Sequence, residues 1–187
     1  MNRMKMLVAA ATLLAGSASA APVAYYAHMD GPSEAPPNAS PGTGFTRVTI
    51  DTMAHTLHVQ AWFSGLLGTT TAAHIHIGVP TGPVATQTPS FSGFPLGVTS
   101  GSMDRTFDLT LASSFRAGFI TASGGTVAGA EAALAAGMAA GSAYFNIHST
   151  SFPGGEIRGF LKPAPEPSTI ALSGLALAAA AFLRRRR

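Results

Sequence analysis

Leu57-His58-Val59-Gln60-Ala61-Trp62-Phe63 is the stretch that decides the fold. Leu57, Val59, Ala61 and Phe63 are apolar and fall at every second position, with His58, Gln60 and Trp62 between them. A strand turns alternate side chains to opposite sides, so the segment predicts a β-strand with one buried and one solvated face. The same period recurs outward along the chain. Met103, Arg105, Phe107, Leu109 and Leu111 alternate with Asp104, Thr106, Asp108 and Thr110, and Ala143, Phe145 and Ile147 alternate with Tyr144, Asn146 and His148. Further strands are expected over 23–29, 44–51, 73–78 and 155–162, with Pro36-Pro37, Gly42, Pro80, Gly82-Pro83 and Pro153-Gly154-Gly155 as breaks between them. Thr126 to Ala140 departs from this pattern: it is Ala-rich, and Leu134 and Met138 stand four apart. That spacing predicts one short helix, with Thr126 as its N-cap and Gly141 as its stop. The expected class is mainly β, an antiparallel β-sandwich or flattened barrel with one short helix.

The chain has 187 residues, no cysteine, and charged residues at only 10%, against roughly a quarter in an ordinary soluble domain. Disulfides, thiolate metal sites and cysteine nucleophiles are therefore excluded. The formal charge of +3 comes from the two ends, where Arg3, Lys5 and Arg184 to Arg187 collect. Between them five basic residues face seven acids, so a nucleic-acid-binding surface is not expected.

The ends read as addresses. Arg3 and Lys5 precede an apolar run from Met6 to Ala15, and Gly16-Ser17-Ala18-Ser19-Ala20 supplies the small residues that a signal peptidase requires. Residues 1–20 are expected to be a leader helix, cut between Ala20 and Ala21. At the other end, Pro165-Glu166-Pro167 precedes an Ala/Leu-rich helix expected over 168–183 and the cluster Arg184, Arg185, Arg186 and Arg187. The apolar run from Ile170 to Leu183 is short for a ~30 Å hydrocarbon core, but arginine stems can snorkel and anchor a short transmembrane helix. Pro-Glu-Pro, apolar helix and arginine cluster, in that order over 164–187, resemble the PEP-CTERM sorting signal of Gram-negative bacteria. The resemblance implies an exosortase as partner, transient inner-membrane anchoring with a cytoplasmic C-terminus, and delivery to the cell surface or an exopolysaccharide-containing extracellular matrix.

The middle of the chain carries a second resemblance. Glu34-Ala35-Pro36-Pro37, Phe63-Ser64-Gly65-Leu66, Ala73-His74-Ile75-His76-Ile77-Gly78 and Gly82-Pro83-Val84 stand in order before Gly141 to His148 and Pro153-Gly154-Gly155-Glu156-Ile157-Arg158-Gly159. Together these motifs resemble the chordin (CHRD) domain over about 23–162. The resemblance implies a β-rich extracellular module and assigns it no settled chemistry.

Histidine carries the chemical possibilities. His74 and His76 are two apart on an expected strand, so both rings leave one face with Cβ atoms about 6.5–7 Å apart. His148 ends another expected strand and completes a three-nitrogen set if the strands are neighbours. Three imidazoles without thiolate suit copper or zinc, and Glu156 is the expected acceptor that orients one ring. Because the ligand is neutral imidazole, binding is expected to weaken below about pH 6.5. The His-x-His strand after Gly65-Leu66 is similar to that of copper–zinc superoxide dismutase, although His28, His55 and His58 supply no second cluster. The alternative reading is structural, with His74 and His76 donating to backbone carbonyls or to Glu156 and holding loops together. Trp62 and Tyr144 are candidates for a sugar-stacking surface. No Gly-x-Ser-x-Gly elbow accompanies the serines, so a Ser-His-Asp hydrolase is not expected. Two functions follow: an exported binding or structural module that meets exopolysaccharide or another surface protein, and a histidine-ligated copper or zinc protein, enzyme or carrier, with a superoxide-dismutase-like site.

Overall fold

The computed structural model describes residues 21–164. The leader at 1–20 and the segment from Pro165 to Arg187, with the helix expected over 168–183, lie outside the described residues. No helix among the described residues is long and apolar enough to cross a membrane.

Eight strands follow one another as β1 (Val23–Asp30), β2 (Thr43–Asp51), β3 (Thr56–Ser64), β4 (Thr70–Ile77), β5 (Gly101–Asp108), β6 (Ala143–Ser149), β7 (Ile157–Phe160) and β8 (Lys162–Pro163). They form one antiparallel sheet in the order β4-β6-β7-β1-β2-β3-β5, with β8 paired to β1. The sheet curls into a half-barrel, so the flattened-barrel expectation describes it well. Its inner face carries Val48, Val59, Phe63, Ile75, Phe107, Phe145, Ile147 and Ile157, all buried. The seam between the two halves is thin: β1 meets β7 at Asp30–Arg158, and β8 at Tyr25–Pro163 and Tyr26–Lys162.

The coil between β4 and β5 completes the enclosure. Ala85 N–H donates to Ile75 O, Phe91 N–H to Ala73 O and Gly97 N–H to Thr70 O. This coil therefore satisfies the free edge of β4, which would otherwise offer unpaired backbone groups to another chain. Phe91 and Phe94 enter the core from it, Phe91 against Phe107 and Phe145, and Phe94 against Phe63.

The expected helix is α2 (Val127–Ala139), following α1 (Ala117–Ala122). Thr126 caps α2 by accepting from Gly129 N–H at 3.0 Å, and Gly141, at φ +69°, turns the chain back towards β6. Ala130, Leu134 and Met138 are the buried stripe of α2. Two expectations change. The six-residue α1 was not foreseen, having no side-chain cap to announce it. β5 ends at Asp108 rather than reaching Leu111, because Asp108 accepts from Thr110 N–H and Thr110 Oγ1 and draws the chain into a turn. Leu111 is consequently exposed.

Candidate metal centre

β4 and β6 are neighbours, and their register opposes Ala72 to His148, His74 to Asn146 and His76 to Tyr144. Ala73, Ile75, Phe145 and Ile147 take the core face, so period two places His74, His76 and His148 on the other side. The rings come together there. Ligand nitrogens of the three lie within 4.8 Å of one another. His74 Nε2 is 2.9 Å from His148 Nε2. Ring centroids are 4.7 Å apart for His74–His76 and for His74–His148, and 6.1 Å for His76–His148, so His74 is the middle ring.

Backbone carbonyls set the tautomers. His76 Nδ1–H donates to Gly82 O at 2.8 Å, and His148 Nδ1–H donates to Pro153 O at 2.9 Å. A carbonyl only accepts, so each neutral ring carries its lone pair on Nε2. His76 Nε2 is buried with no hydrogen-bond partner among the described residues, as is His74 Nδ1. The Pro89 carbonyl lies near His74 and favours its protonated form, without the geometry of a full hydrogen bond at Nδ1. Burial holds His74 neutral, lowering its pKa to about 3, with the neighbouring His148 and His76 adding to the effect. Burial also lowers His148 and His76, against the carbonyl hydrogen bonds that favour their charged forms. With the Nδ1–H of His148 given to Pro153, its Nε2 accepts from His74 Nε2–H at 2.9 Å. The cluster is thus a set of neutral imidazoles in which, of the three Nε2 atoms, only that of His76 has an unengaged lone pair. Neutral imidazole is the state in which histidine binds copper or zinc.

The segments singled out in the sequence meet around this cluster. The loop at Gly82-Pro83 orients His76, the loop at Pro153 orients His148, and Arg158 on β7 donates to Ser33 O and, at 2.7 Å, to Pro80 O. A family model described as CHRD domain matches residues 25–161. The chain belongs to the CHRD-domain family. A second model, the PEP-CTERM protein-sorting motif, matches residues 163–187. The chain is thus a CHRD-domain protein bearing the signal of exosortase-sorted export, with transient anchoring at the membrane through its C-terminus. Neither the curated proteins nor the solved structures gave a significant match.

In this CHRD domain Glu156 does not orient a histidine. Its buried carboxylate accepts from Ser40 Oγ at 2.6 Å, Leu67 N–H at 2.5 Å and Gly68 N–H at 3.3 Å. Burial raises its pKa, but these donors and Ser149 outweigh that and hold it low. Carbonyls of Gly82 and Pro153 do the orienting instead. Glu34 is the acid nearer the cluster's own layer: it is buried with Arg158 Nε 3.8 Å away, and burial raises it to about 7 against the pull of Arg158 and the Ala35 N–H. Gly155, at φ +134°, is packed so closely that a Cβ there would lie 2.7 Å from Glu34 Oε1 and 2.8 Å from the Asn146 amide. The sequence signal for Glu34 was its place in Glu34-Ala35-Pro36-Pro37, to which no chemistry had been attached.

The remaining histidines of the CHRD domain stand apart. His55 pairs with Glu131 at 2.8 Å, His58 pairs with Asp104 at 2.6 Å, and His28 lies exposed beside Phe45. Trp62 is exposed, as a sugar-stacking residue must be, but Tyr144 is buried. It stacks on His76 at 4.7 Å and belongs to the histidine site. Trp62's aromatic neighbours are Phe45 and, beyond it, Tyr26.

Proposed function

We propose that this protein is an exported, exosortase-sorted surface module whose CHRD domain binds one copper or zinc ion through His74, His76 and His148. One observation carries the reading: three buried or half-buried neutral imidazoles bring ligand nitrogens within 4.8 Å of one another, and backbone carbonyls hold two of the rings in the tautomer with Nε2 unprotonated. His148 Nε2 is engaged by His74 Nε2 at 2.9 Å, but His76 Nε2 is buried without a partner among the described residues, which a purely structural role would not leave. Burial lowers the pKa of all three ligands, that of His74 to about 3, so metal should stay bound below pH 6.5, further than the unperturbed pKa predicts. Elemental analysis of the purified full-length chain tests this. About one equivalent of copper or zinc is expected in the parent and in His55→Ala, with loss in His74→Ala. Equal metal content in all three would refute the centre.

A second role as a binding module rests on a different surface. Tyr26, Phe45 and Trp62 form an aromatic strip across β1, β2 and β3, with centroid spacings of 5.7 and 6.2 Å. Thr43, Ser64 and Ser102 border it with hydroxyls. Aromatic faces beside hydroxyls suit sugar rings, and exopolysaccharide is the partner this reading names. Trp62 is the sole tryptophan, so its fluorescence reports the strip directly. Matrix polysaccharide should shift and quench that emission, and an unchanged spectrum at saturating polysaccharide would remove this role.

A further inference from the structure

The metal reading can be taken further from the spacing of the nitrogens. A metal–imidazole bond is about 2.0–2.1 Å long. His74 Nε2 and His148 Nε2 stand 2.9 Å apart across a hydrogen bond, and at that spacing they would subtend about 90° at an ion that took the place of its proton, by simple trigonometry on that bond length. A tetrahedral ion requires about 3.3–3.4 Å between each pair of ligand atoms at the same bond length. The outer pair is arranged differently again. His76 and His148 flank His74, with ring centroids 6.1 Å apart against 4.7 Å for each of them with His74. Rings bound through one nitrogen put their centroids about 3.2 Å from a shared ion, hence about 6.4 Å apart when opposite, about 4.5 Å at a right angle and about 5.2 Å at the tetrahedral angle. The outer pair therefore matches opposite ligands, and each pair with His74 matches a right angle. A right angle beside a near-straight angle is a T, three corners of a square.

We infer that the three histidines form a planar T suited to copper(II), with the fourth corner of the square available to a small anion. The inference rests on the metal reading above. Tetragonal nitrogen and oxygen sets favour copper(II), whereas zinc has no electronic preference for a plane and settles into tetrahedra. Charge supports an anionic fourth ligand. The three protein ligands are neutral, the chain has no cysteine, and the described residues bring no carboxylate into the cluster. Glu156 is committed to Ser40, Leu67 and Gly68, and Glu34 faces Arg158. A bound dication would therefore keep its full charge in a half-buried site until an anion joined it.

The full-length chain, purified in detergent and loaded with one equivalent of copper(II), provides the test. Electron paramagnetic resonance should give an axial spectrum with nitrogen superhyperfine structure. Excess azide should shift that spectrum and add an azide-to-copper charge-transfer band. His76→Ala should lower copper(II) affinity at least about tenfold, with His58→Ala unchanged. The parent spectrum and its azide response need no variant, so they decide the matter even where His76→Ala fails to fold. Histidine-bound copper with a tetrahedrally distorted spectrum, or one blind to azide, would overturn the planar site and leave the metal centre standing. Copper binding that His74→Ala does not weaken would overturn both.

Discussion

The half-sheet β1-β2-β3-β5 and the half-sheet β4-β6-β7 share one core but treat their outer faces oppositely. On β3 the outer residues His58, Gln60 and Trp62 are half-buried or exposed, and on β5 Asp104 and Thr106 are exposed. On β6 the outer residues Tyr144 and Asn146 are as buried as the inner Phe145 and Ile147, and Arg158 on β7 is buried too. The cover is loop backbone from around Ser33, Pro80–Gly82 and Pro153, whose carbonyls accept from Arg158, His76 and His148. Loops folded back over a strand desolvate polar side chains, and a desolvated polar side chain needs a partner or a task. The open half therefore needs only an inner core, while the covered half gathers every buried charge of the sheet's outer layer into one neighbourhood.

The largest expected effect tests what the halves share. Phe145→Ala and Phe107→Ala should each cost roughly 3–5 kcal/mol, since each removes a packed ring from the common core. Urea melts matching the parent would mean that the strand faces are reversed. The next contrast lies between the outer faces. Glu156→Ala leaves Leu67 N–H, Gly68 N–H and Ser40 without their acceptor and should cost about 2–3 kcal/mol. Thr106→Ala, exposed on β5, should cost less than about 0.5 kcal/mol. Similar midpoints for the two variants would erase the distinction between covered and open halves.

Acid sharpens the comparison further, with a smaller effect per step. His74 titrates at about 6.5 when unfolded and at about 3 in the metal-free fold, so between those values the unfolded chain holds the extra proton. Stability of the apo domain should accordingly fall as pH drops from 6.5, with His74 contributing up to about 1.4 kcal/mol per pH unit. Glu34 works the other way. Its folded pKa of about 7 exceeds the unfolded 4.5, so its contribution is full below 4.5 and is lost as pH rises to 7. His74→Asn should flatten the acid limb of urea midpoints measured from pH 7 to 4, and Glu34→Gln should steepen it. An unchanged acid limb in His74→Asn would mean that the ring is not held neutral by the covered layer.

This asymmetry also governs what could be read from the sequence. The alternation of β3 was legible because water defines one of its faces, and Leu57, Val59, Ala61 and Phe63 are all buried as it implied. β6 alternates equally clearly, but the burial of Tyr144 and Asn146 depends on loops distant in the chain, which no local period encodes. His74 and His76 shared a face by period alone, and the pairing of β4 with β6 supplied His148. Glu156 was misplaced because spacing from His148 says nothing about Leu67 and Gly68, whose N–H groups claim it. Leu111 was misplaced because the turn at Asp108 is a side-chain effect, invisible to hydrophobic alternation.

Where the domain ends has a mechanical consequence. Ala164 N–H donates to Ala24 O, one residue before Pro165-Glu166-Pro167. The matched sorting motif, 163–187, begins inside β8, so the signal is joined to the folded sheet without a spacer. Any load carried through that end enters at β8, a two-residue strand. β8 pairs with Tyr25 and Tyr26 of β1, whereas the histidine cluster stands on β4 and β6, with β7 between them and β1, so a pull on that end meets the β8–β1 pairing well before it meets the site.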